Sequence, residues 1–405
     1  MTTLALGAPY RRLWSATLLS NLGDGIRSAA FPLLAAALTR DPIMISGVAV
    51  AGQAPGLLLS LTAGSLADRF DRRRLIITVD AVRLALLGGL IGLIAAGWAT
   101  IGVLYVVVFV SGVAEVFRDT SAGTLVPSIV PADRLDRANG RLITAEIAGN
   151  EFVGPPLGGY LFGIALVLPF AVNGGTLAIA VALVAGIPAL LQSPSPTVSS
   201  PSRRRASVGV GLRWLGEHRA FWPVPATSVA LAMTDSAWFT LLVLYLQDVL
   251  QLPPVWYGIL LAIGAIGGLL GGFLAAGVIG RFGAKIATLG CLGLAAAGQL
   301  MLGLTSSVIA TAAVLGTSSM AFAIWNVQAR TTVQRSAPAE LLGRIMSINR
   351  TVIAAATLIG AGLGGLAASH LGLHAPFLLG LPVLLGATAS VAASHQTFAP
   401  GAGVE

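Results

Sequence analysis

Apolar residues run along the chain in twelve long segments that are separated by short polar stretches. Each segment approaches the roughly 20 residues that a helix needs to cross about 30 Å of hydrocarbon. We number these segments as spans 1 to 12. Their predicted bounds are 12–38, 44–67, 75–97, 100–121, 138–163, 166–191, 222–247, 255–280, 284–304, 307–330, 345–369 and 372–394. The pattern therefore predicts an all-α membrane protein with twelve transmembrane helices.

The spans fall into two groups of six around a polar centre. Residues 192–206 read QSPSPTVSSPSRRRA, a composition that is typical of a flexible linker. The stretch that continues to His218 is expected to form a short interfacial helix. We therefore predict an N-terminal six-helix bundle over 1–191, a cytoplasmic linker over 192–220 and a C-terminal six-helix bundle over 221–405.

The two halves also resemble each other in sequence. GSLADRFDRR at 64–73 aligns with AGVIGRFGAK at 276–285, and GPPLGGYL at 154–161 aligns with GAGLGGLA at 360–367, at offsets of 212 and 206. Parallel repeats of this kind are typical of transporters whose substrate site lies near the midplane between the repeats. The sequence thus predicts two pseudo-symmetric bundles.

Composition supports a membrane location and excludes several other classes. Charged residues make up 10% of the chain, against about 25% in soluble domains. The net charge of +8 comes from arginines in short loops on one side of the predicted spans, so it indicates topology and not nucleic-acid binding. This bias predicts a multi-pass protein of the cytoplasmic (inner) membrane with both termini in the cytoplasm.

The sequence offers little to an enzyme or a metal site. Cys291 is the single cysteine, the four histidines have no metal-ligand spacing, and no nucleotide-binding lysine loop is present. We therefore expect no metal, no cofactor and no enzymatic activity.

Several charged residues fall inside the predicted spans, where a charge costs about 2.5–3.5 kcal/mol and usually faces a partner or a cavity. Asp24 lies about 18 Å along span 1, and Arg27 follows three residues later on the same face. Asp235 occupies the corresponding position of span 7, without a cation in its own helix. Glu115 in span 4 and Glu151 in span 5 are further embedded acids. We predict that Asp24, Asp235, Glu151 and Glu115 are the proton-coupling candidates.

The loop after span 2 carries the pattern by which the chain resembles the major facilitator superfamily. The matching residues are Gly64, Leu66, Ala67, Asp68, Arg69, Arg72 and Arg73, with Asp71 where that family usually has glycine. The resemblance covers essentially the whole chain. It implies that two six-helix halves rock around a central cavity, and that a cytoplasmic latch is formed by Gly64, Asp68, Arg69, Arg72 and Arg118.

Further stretches resemble the drug:proton antiporter and siderophore-exporter branch of that family. The antiporter signature GPxxGG is matched by Gly154, Pro155, Gly158 and Gly159, although Asn150 replaces its usual upstream glycine. In that fold spans 1, 4, 7 and 10 surround the cavity. The substrate-cavity candidates implied by the resemblance are Asn21, Arg27, Tyr105, Trp238, Trp325 and Asn326.

The predicted function is secondary active export of a small amphipathic, drug-like organic compound by a monomeric proton antiporter. The expected partners are this small-molecule substrate, protons and the lipid bilayer. Two alternatives remain open. One is a siderophore, lipid or nutrient transporter of the same fold, and the other is a transport-inactive membrane receptor or scaffold.

Overall fold

The computed structural model of the chain describes residues 7–59, 71–131, 134–187, 213–214, 216–218 and 221–394. Spans 1 to 4 are the helices Gly7–Leu38, Pro42–Leu59, Arg72–Ala95 and Ile101–Ile129. Span 5 comprises Leu135–Ile147, Ala148–Val153 and Gly154–Ile164, and span 6 is Leu168–Ala185. Span 7 comprises Pro223–Phe239, Leu242–Leu244 and Tyr245–Val249. Spans 8 to 12 are Val255–Phe282, Ala284–Leu304, Val308–Ser336, Ala339–Leu371 and Ala375–Ala393.

Each of the twelve predicted spans is helical in its described residues, so the predicted all-α fold is confirmed. Ten of the described helices are long and apolar enough to cross a membrane by length and composition alone. The other two segments are span 1, which carries Asp24 and Arg27 near its middle, and span 5, which is divided by a π-helix. Embedded charge and an irregular backbone thus mark the two spans whose apolar signal is weakest.

The helices form two compact units. The first contains most of spans 1 to 6 together with residues 252–262, and the second contains residues 41–47 and most of spans 7 to 12. One buried cluster of the first unit packs Tyr10 and Leu13 of span 1 against Leu125 of span 4 and Ala180 of span 6. The Tyr10 hydroxyl also donates a hydrogen bond to the carbonyl of Ala138, at 2.9 Å. This contact ties span 1 to the first turns of span 5.

The core of the second unit includes a residue that the sequence assigns to the linker. Trp214 is buried with Phe221 and Trp325, and its ring stacks on His218 at a centroid distance of 4.3 Å. The described end of the predicted linker therefore packs into the second unit. Residues 192–212, 215, 219 and 220 of the predicted linker lie outside the described residues.

Glycines allow two related helix crossings, one inside each unit. A Cβ atom on Gly158 would collide with the backbone of Ile26 in span 1. In the second unit a Cβ atom on Gly364 would collide with the backbone of Ala237 in span 7. Small residues permit this close approach in lipid, where helix packing depends on direct contact. Gly158 of the antiporter signature and its repeat partner Gly364 thus allow the same kind of helix crossing in the two units.

Two basic side chains at equivalent positions of the repeat cap the ends of helices. Arg73 at the start of span 3 donates to the carbonyls of Val184 and Ala185 at the end of span 6. Lys285, 212 residues later, donates to the carbonyls of Ala392 and Ser394, at 2.7 and 2.8 Å. The last carbonyls of a helix lack partners within it and carry partial negative charge. These loop cations therefore satisfy helix ends as well as indicating topology.

Candidate functional site

Seven charged side chains of the first unit form a continuous series of alternating ion pairs. We call this series the ion-pair chain. Its members, in order of contact, are Asp119, Arg118, Asp80, Arg83, Asp24, Arg27 and Glu115. The series joins spans 1, 3 and 4.

The inner contacts of the chain are short and cross from helix to helix. Arg118 Nε lies 3.1 Å from Asp80 Oδ2, and Arg83 Nη1 lies 3.5 Å from Asp80 Oδ1. Arg83 Nη2 also donates to Asp24 Oδ1. Each of these arginines contacts two carboxylates, so the bridges are shared between neighbours.

The outer contacts reach the two ends of the chain. Arg27 Nη2 lies 3.3 Å from Asp24 Oδ1 and donates to Glu115 Oε2 at 2.5 Å. At the other end, Arg118 Nη1 is 3.9 Å from Asp119 Oδ1. Arg27 thus holds Glu115 and Asp24 at the same time.

Burial divides the chain into an enclosed middle and two accessible ends. The side chains of Asp24, Asp80 and Arg83 are 8%, 0% and 2% exposed. Those of Glu115 and Asp119 are 35% and 68% exposed. Both accessible ends are carboxylates, and they lie one helical turn apart on span 4. The two ends are therefore the members of the chain that protein encloses least, and its middle is held by the surrounding helices.

A simple sequence spacing produces this arrangement. Spans 1, 3 and 4 each carry an acid followed three residues later by an arginine, which places both on one helix face. The pairs Asp24–Arg27 and Asp80–Arg83 form within their own helices. Glu115 and Arg118 have the same spacing, but Arg118 reaches Asp80 on span 3. The predicted latch partner of Arg118, Asp68, lies outside the described residues, as do Gly64 and Arg69. Nothing is described of the Arg72 side chain.

Asp235 is placed in a different environment, inside the second unit. The side chains of Trp238 and of Gln299 in span 9 interact with its carboxyl group. Trp238 also stacks on Phe377 of span 12, with centroids 5.6 Å apart. No ion pair of Asp235 is seen among the residues that the structure describes. The two aspartates therefore occupy equivalent repeat positions with different partners.

The other predicted cavity residues are placed as follows. Asn21 and Asn326 are half-buried and donate to carbonyls of their own helices, at Thr17 and Phe322. Trp325 is buried, and its indole N–H donates to Ser228 Oγ at 3.2 Å.

Tyr105 of span 4 is half-buried. The ion-pair chain includes none of the four residues Asn21, Asn326, Trp325 and Tyr105. Of the predicted cavity residues, Arg27 alone is a member of it.

Glu151 lies in the π-helix that precedes the Gly-Pro signature of span 5. This π-helix covers Ala148–Val153, and Glu151 is exposed on it. In the signature, Gly154 and Gly158 approach the backbone of span 1, whereas Gly159 approaches Gly258 of span 8. Pro155 follows at the first turn of the next helix. π-Helical turns are common at functional sites, but Glu151 is not part of the ion-pair chain.

Proteins related in sequence over nearly the full length are efflux pumps. The multidrug efflux pump Tap of Mycobacterium tuberculosis is 29% identical over 391 residues, which cover 91% of this chain and 89% of the pump. The pump of the same name from Mycolicibacterium fortuitum is 28% identical over 402 residues, covering 93% of each chain.

Solved structures share the fold at lower sequence identity. A bacterial homologue of the human lysosomal transporter Spinster, in its inward-facing and occupied conformation, has a TM-score of 0.72 at 16% identity over 96% of each chain. A bacterial homologue of the iron transporter ferroportin, in an inward-facing state, has a TM-score of 0.71 at 19% identity. It covers 96% of this chain and all of that chain. At these identities the similarity shows the fold alone.

The apolar helices and the full-length relatives define an integral membrane protein that transports a small molecule and is not an enzyme. The sequence profile of the Major Facilitator Superfamily matches residues 13–356. The chain belongs to this family, as its loop motif and repeats predict.

Proposed function

We propose that the protein exports a small amphipathic, drug-like organic compound across the cytoplasmic membrane in exchange for protons, by alternating access. The nearly full-length similarity to multidrug efflux pumps supports the export of drug-like compounds. The arginine bias of the polar loops supports a cytoplasmic position for both termini. We propose that the unit of transport is the monomer.

The charge of the ion-pair chain is the observation that carries the proton-coupling part of this proposal. Four acids and three arginines give the fully ionised chain a formal charge of −1. An uncompensated charge inside a membrane protein is costly. Uptake of one proton makes the chain neutral, so two charge states of the same network are available to the transport cycle.

We propose that Glu115 is the member that exchanges this proton. Its carboxylate is accessible and contacts Arg27 of another helix, whereas those of Asp24 and Asp80 are enclosed. Asp119 is also accessible, but its contact is with Arg118 of its own helix, at 3.9 Å. When Glu115 is protonated, Arg27 retains Asp24 as a partner, at 3.3 Å. Protonation therefore shifts Arg27 toward Asp24 and releases Glu115, which changes the contact between spans 1 and 4. Glu151 stays a second coupling candidate, because it is exposed within a π-helix.

The experiment is efflux of a fluorescent organic dye from proteoliposomes with and without an imposed pH gradient. We expect the wild type to transport faster with the gradient, and Glu115→Gln to transport at a rate that the gradient no longer changes. Glu217→Gln is the matched control, because Glu217 is exposed and lies outside the spans.

A wild type that moves no dye in either condition overturns the export of drug-like compounds. Siderophores, lipids and nutrients are then tested as substrates in the same vesicles. If none of them is moved, a transport-inactive receptor or scaffold replaces the transporter. A Glu115→Gln variant that responds to the gradient like the wild type refutes the role of Glu115 alone.

A further inference from the structure

Two arginines of the first unit converge on the last residues of span 6. Arg12 of span 1 donates from Nη1 to the carbonyl of Gly186. Arg73 of span 3 donates from Nε to the carbonyl of Val184, at 3.2 Å, and from Nη2 to the carbonyl of Ala185. The three acceptors are consecutive residues, so both guanidinium groups are held at the same helix end. We call Arg12 and Arg73 the arginine pair.

The positive charge of the arginine pair exceeds the negative charge of the helix end that it contacts. The C-terminal end of a helix carries about half an elementary negative charge, so two arginines leave an excess of about 1.5 positive charges. In the part of the chain that the structure describes, no acidic side chain is seen to contact either arginine. The equivalent end of span 12 receives the single charge of Lys285. The first unit therefore concentrates more positive charge at this position than the second.

The residues next to the arginine pair in sequence increase this excess. Arg11 precedes Arg12, Arg74 follows Arg73, and both neighbours are exposed. Asp71 is the nearest acid along span 3, and its carboxylate accepts a hydrogen bond from the backbone N–H of Arg74 at 3.0 Å. Four arginines and this one acid give the group a formal charge of +3. This end of the first unit is thus an attractive surface for an anion.

The arginine pair also retains hydrogen-bond donors for an anion. Each guanidinium group has five N–H donors in a planar fork. The contacts with span 6 use one donor of Arg12 and two of Arg73. Arg12 is exposed and Arg73 is half-buried, so a ligand can reach the donors that remain. Phosphate oxygens match the geometry of such a fork.

An apolar surface runs along span 6 and ends at the arginine pair. Its exposed residues are spaced three or four apart, which places them on one face of the helix. They are Ala171, Gly175, Ala178, Ala182 and Ala185. In an integral membrane protein an exposed face of this composition lies against the acyl chains of lipid. A phospholipid at this position therefore meets apolar surface along its chains and positive charge at its headgroup.

We propose that the arginine pair binds the phosphate group of one anionic phospholipid, whose acyl chains lie along the exposed face of span 6. Arg12 and Arg73 donate to the phosphate oxygens, and Arg11 and Arg74 attract the headgroup from the membrane surface. Clustered arginines beside a transmembrane helix favour anionic lipids over zwitterionic ones. This site depends neither on the compound that is transported nor on proton exchange at Glu115.

The test is thermal unfolding of the purified full-length protein in a neutral detergent, with increasing amounts of phosphatidylglycerol. Two parallel arms contain phosphatidylcholine with the same acyl chains, or inorganic phosphate. We expect phosphatidylglycerol to raise the Tm to a plateau, because a ligand that binds only the folded protein stabilises it. At about 100 times the Kd the rise is roughly 5–10 °C. Phosphatidylcholine and inorganic phosphate are expected to leave the Tm unchanged.

Two variants change the site in different ways, and one variant is the control. Arg12→Gln removes one guanidinium group and is expected to weaken phosphatidylglycerol binding by roughly tenfold. A Cβ atom on Gly186 would lie 3.6 Å from Nε of Arg12, so Gly186→Asp brings a carboxylate to the arginine pair. This internal anion is expected to abolish the response to phosphatidylglycerol. Arg335→Gln removes an exposed arginine at the end of span 10 and is expected to respond like the wild type.

The results support or overturn the proposal as follows. A rise in Tm that requires phosphatidylglycerol, is weakened in Arg12→Gln and is absent in Gly186→Asp supports the lipid site. An equal rise with inorganic phosphate indicates a site for free anions, and an equal rise with phosphatidylcholine removes the role of charge. Either result overturns the proposal, as does a wild type without a response, variants that respond fully, or an Arg335→Gln control that loses the response.

Elution as a monodisperse peak shows that each variant has folded, and Gly186→Asp decides the matter if Arg12→Gln does not fold. Because unfolding is measured without transport, failure of the lipid site is distinguishable from failure of proton-coupled export.

Discussion

Arg83 is the central cation of the ion-pair chain, so its replacement is the most direct test of that network. Its side chain is 2% exposed and contacts both Asp24 and Asp80. Arg83→Gln leaves these two enclosed carboxylates to the outer arginines and changes the formal charge of the chain from −1 to −2. Removing one partner of a buried ion pair costs about 3–5 kcal/mol, because the other charge stays buried. We expect a loss of stability in this range.

The measurement is thermal unfolding of the purified protein in detergent. For a unit of 150–250 residues, 1 kcal/mol corresponds to a shift of about 2–4 °C. The expected decrease in Tm is therefore roughly 6–20 °C. Arg330→Gln is the control, because Arg330 is exposed on span 10. An exposed substitution of this kind changes stability by no more than about 0.5 kcal/mol.

A double variant separates the charge effect from the loss of packing. Asp24→Asn combined with Arg83→Gln removes one acid and one arginine, so the formal charge of the chain returns to −1. We expect the double variant to be more stable than Arg83→Gln alone, with a coupling energy of about 0.5–3 kcal/mol. If Arg83→Gln melts like the wild type, or if the two substitutions add without coupling, the ion-pair chain does not exist as described.

Two further predictions concern the repeated packing and the caps. Gly364→Ala is expected to cost about 1–3 kcal/mol because its Cβ collides with the backbone of span 7. Gly362→Ala meets nothing within 4 Å and is expected to be neutral or stabilising by up to about 1 kcal/mol. Lys285→Ala removes two hydrogen bonds to the end of span 12 and is expected to cost about 1 kcal/mol. Arg281→Ala, an exposed change nearby, is its control. Detergent melting temperatures check all four variants, and equal values within either pair contradict the assigned contacts.

The helical architecture could be predicted because apolar length is a strong signal in a membrane protein. Each span contains its own backbone hydrogen bonds, so composition along the chain suffices to find it. The division of span 5 by a π-helix was not predicted. No residue type marks a π-helical turn. Pro155 indicates that the helix bends, but it does not indicate that the preceding turn is π-helical. The position of Trp214 in the core of the second unit was not predicted either. The polar composition of residues 192–206 led us to assign the whole of 192–220 to the linker.

The ion-pair chain could be predicted in part. Spacing along one helix places Asp24 beside Arg27 and Asp80 beside Arg83, since residues three apart share a face. Spacing does not say which helices face each other, so the bridges from Arg83 to Asp24 and from Arg118 to Asp80 required the structure. The acid–arginine spacing that recurs in Glu115 and Arg118 was the available signal. The sequence contained no comparable signal for the contact of Gln299 with Asp235, because a single neutral polar residue in an apolar span forms no recognisable spacing pattern.

The two units share their backbone packing but differ in the groups that surround the aspartate of spans 1 and 7. Asp24 and Asp235 stand at equivalent positions, and the glycine crossings and helix caps recur at matching offsets. Along span 9, however, the repeat partners of Asp80 and Arg83 are Leu292 and Ala295, both buried and apolar. The first unit therefore supplies its own positive charges to Asp24. Among the described residues of the second unit, no arginine is seen to pair with Asp235, whose carboxyl group interacts with Trp238 and Gln299.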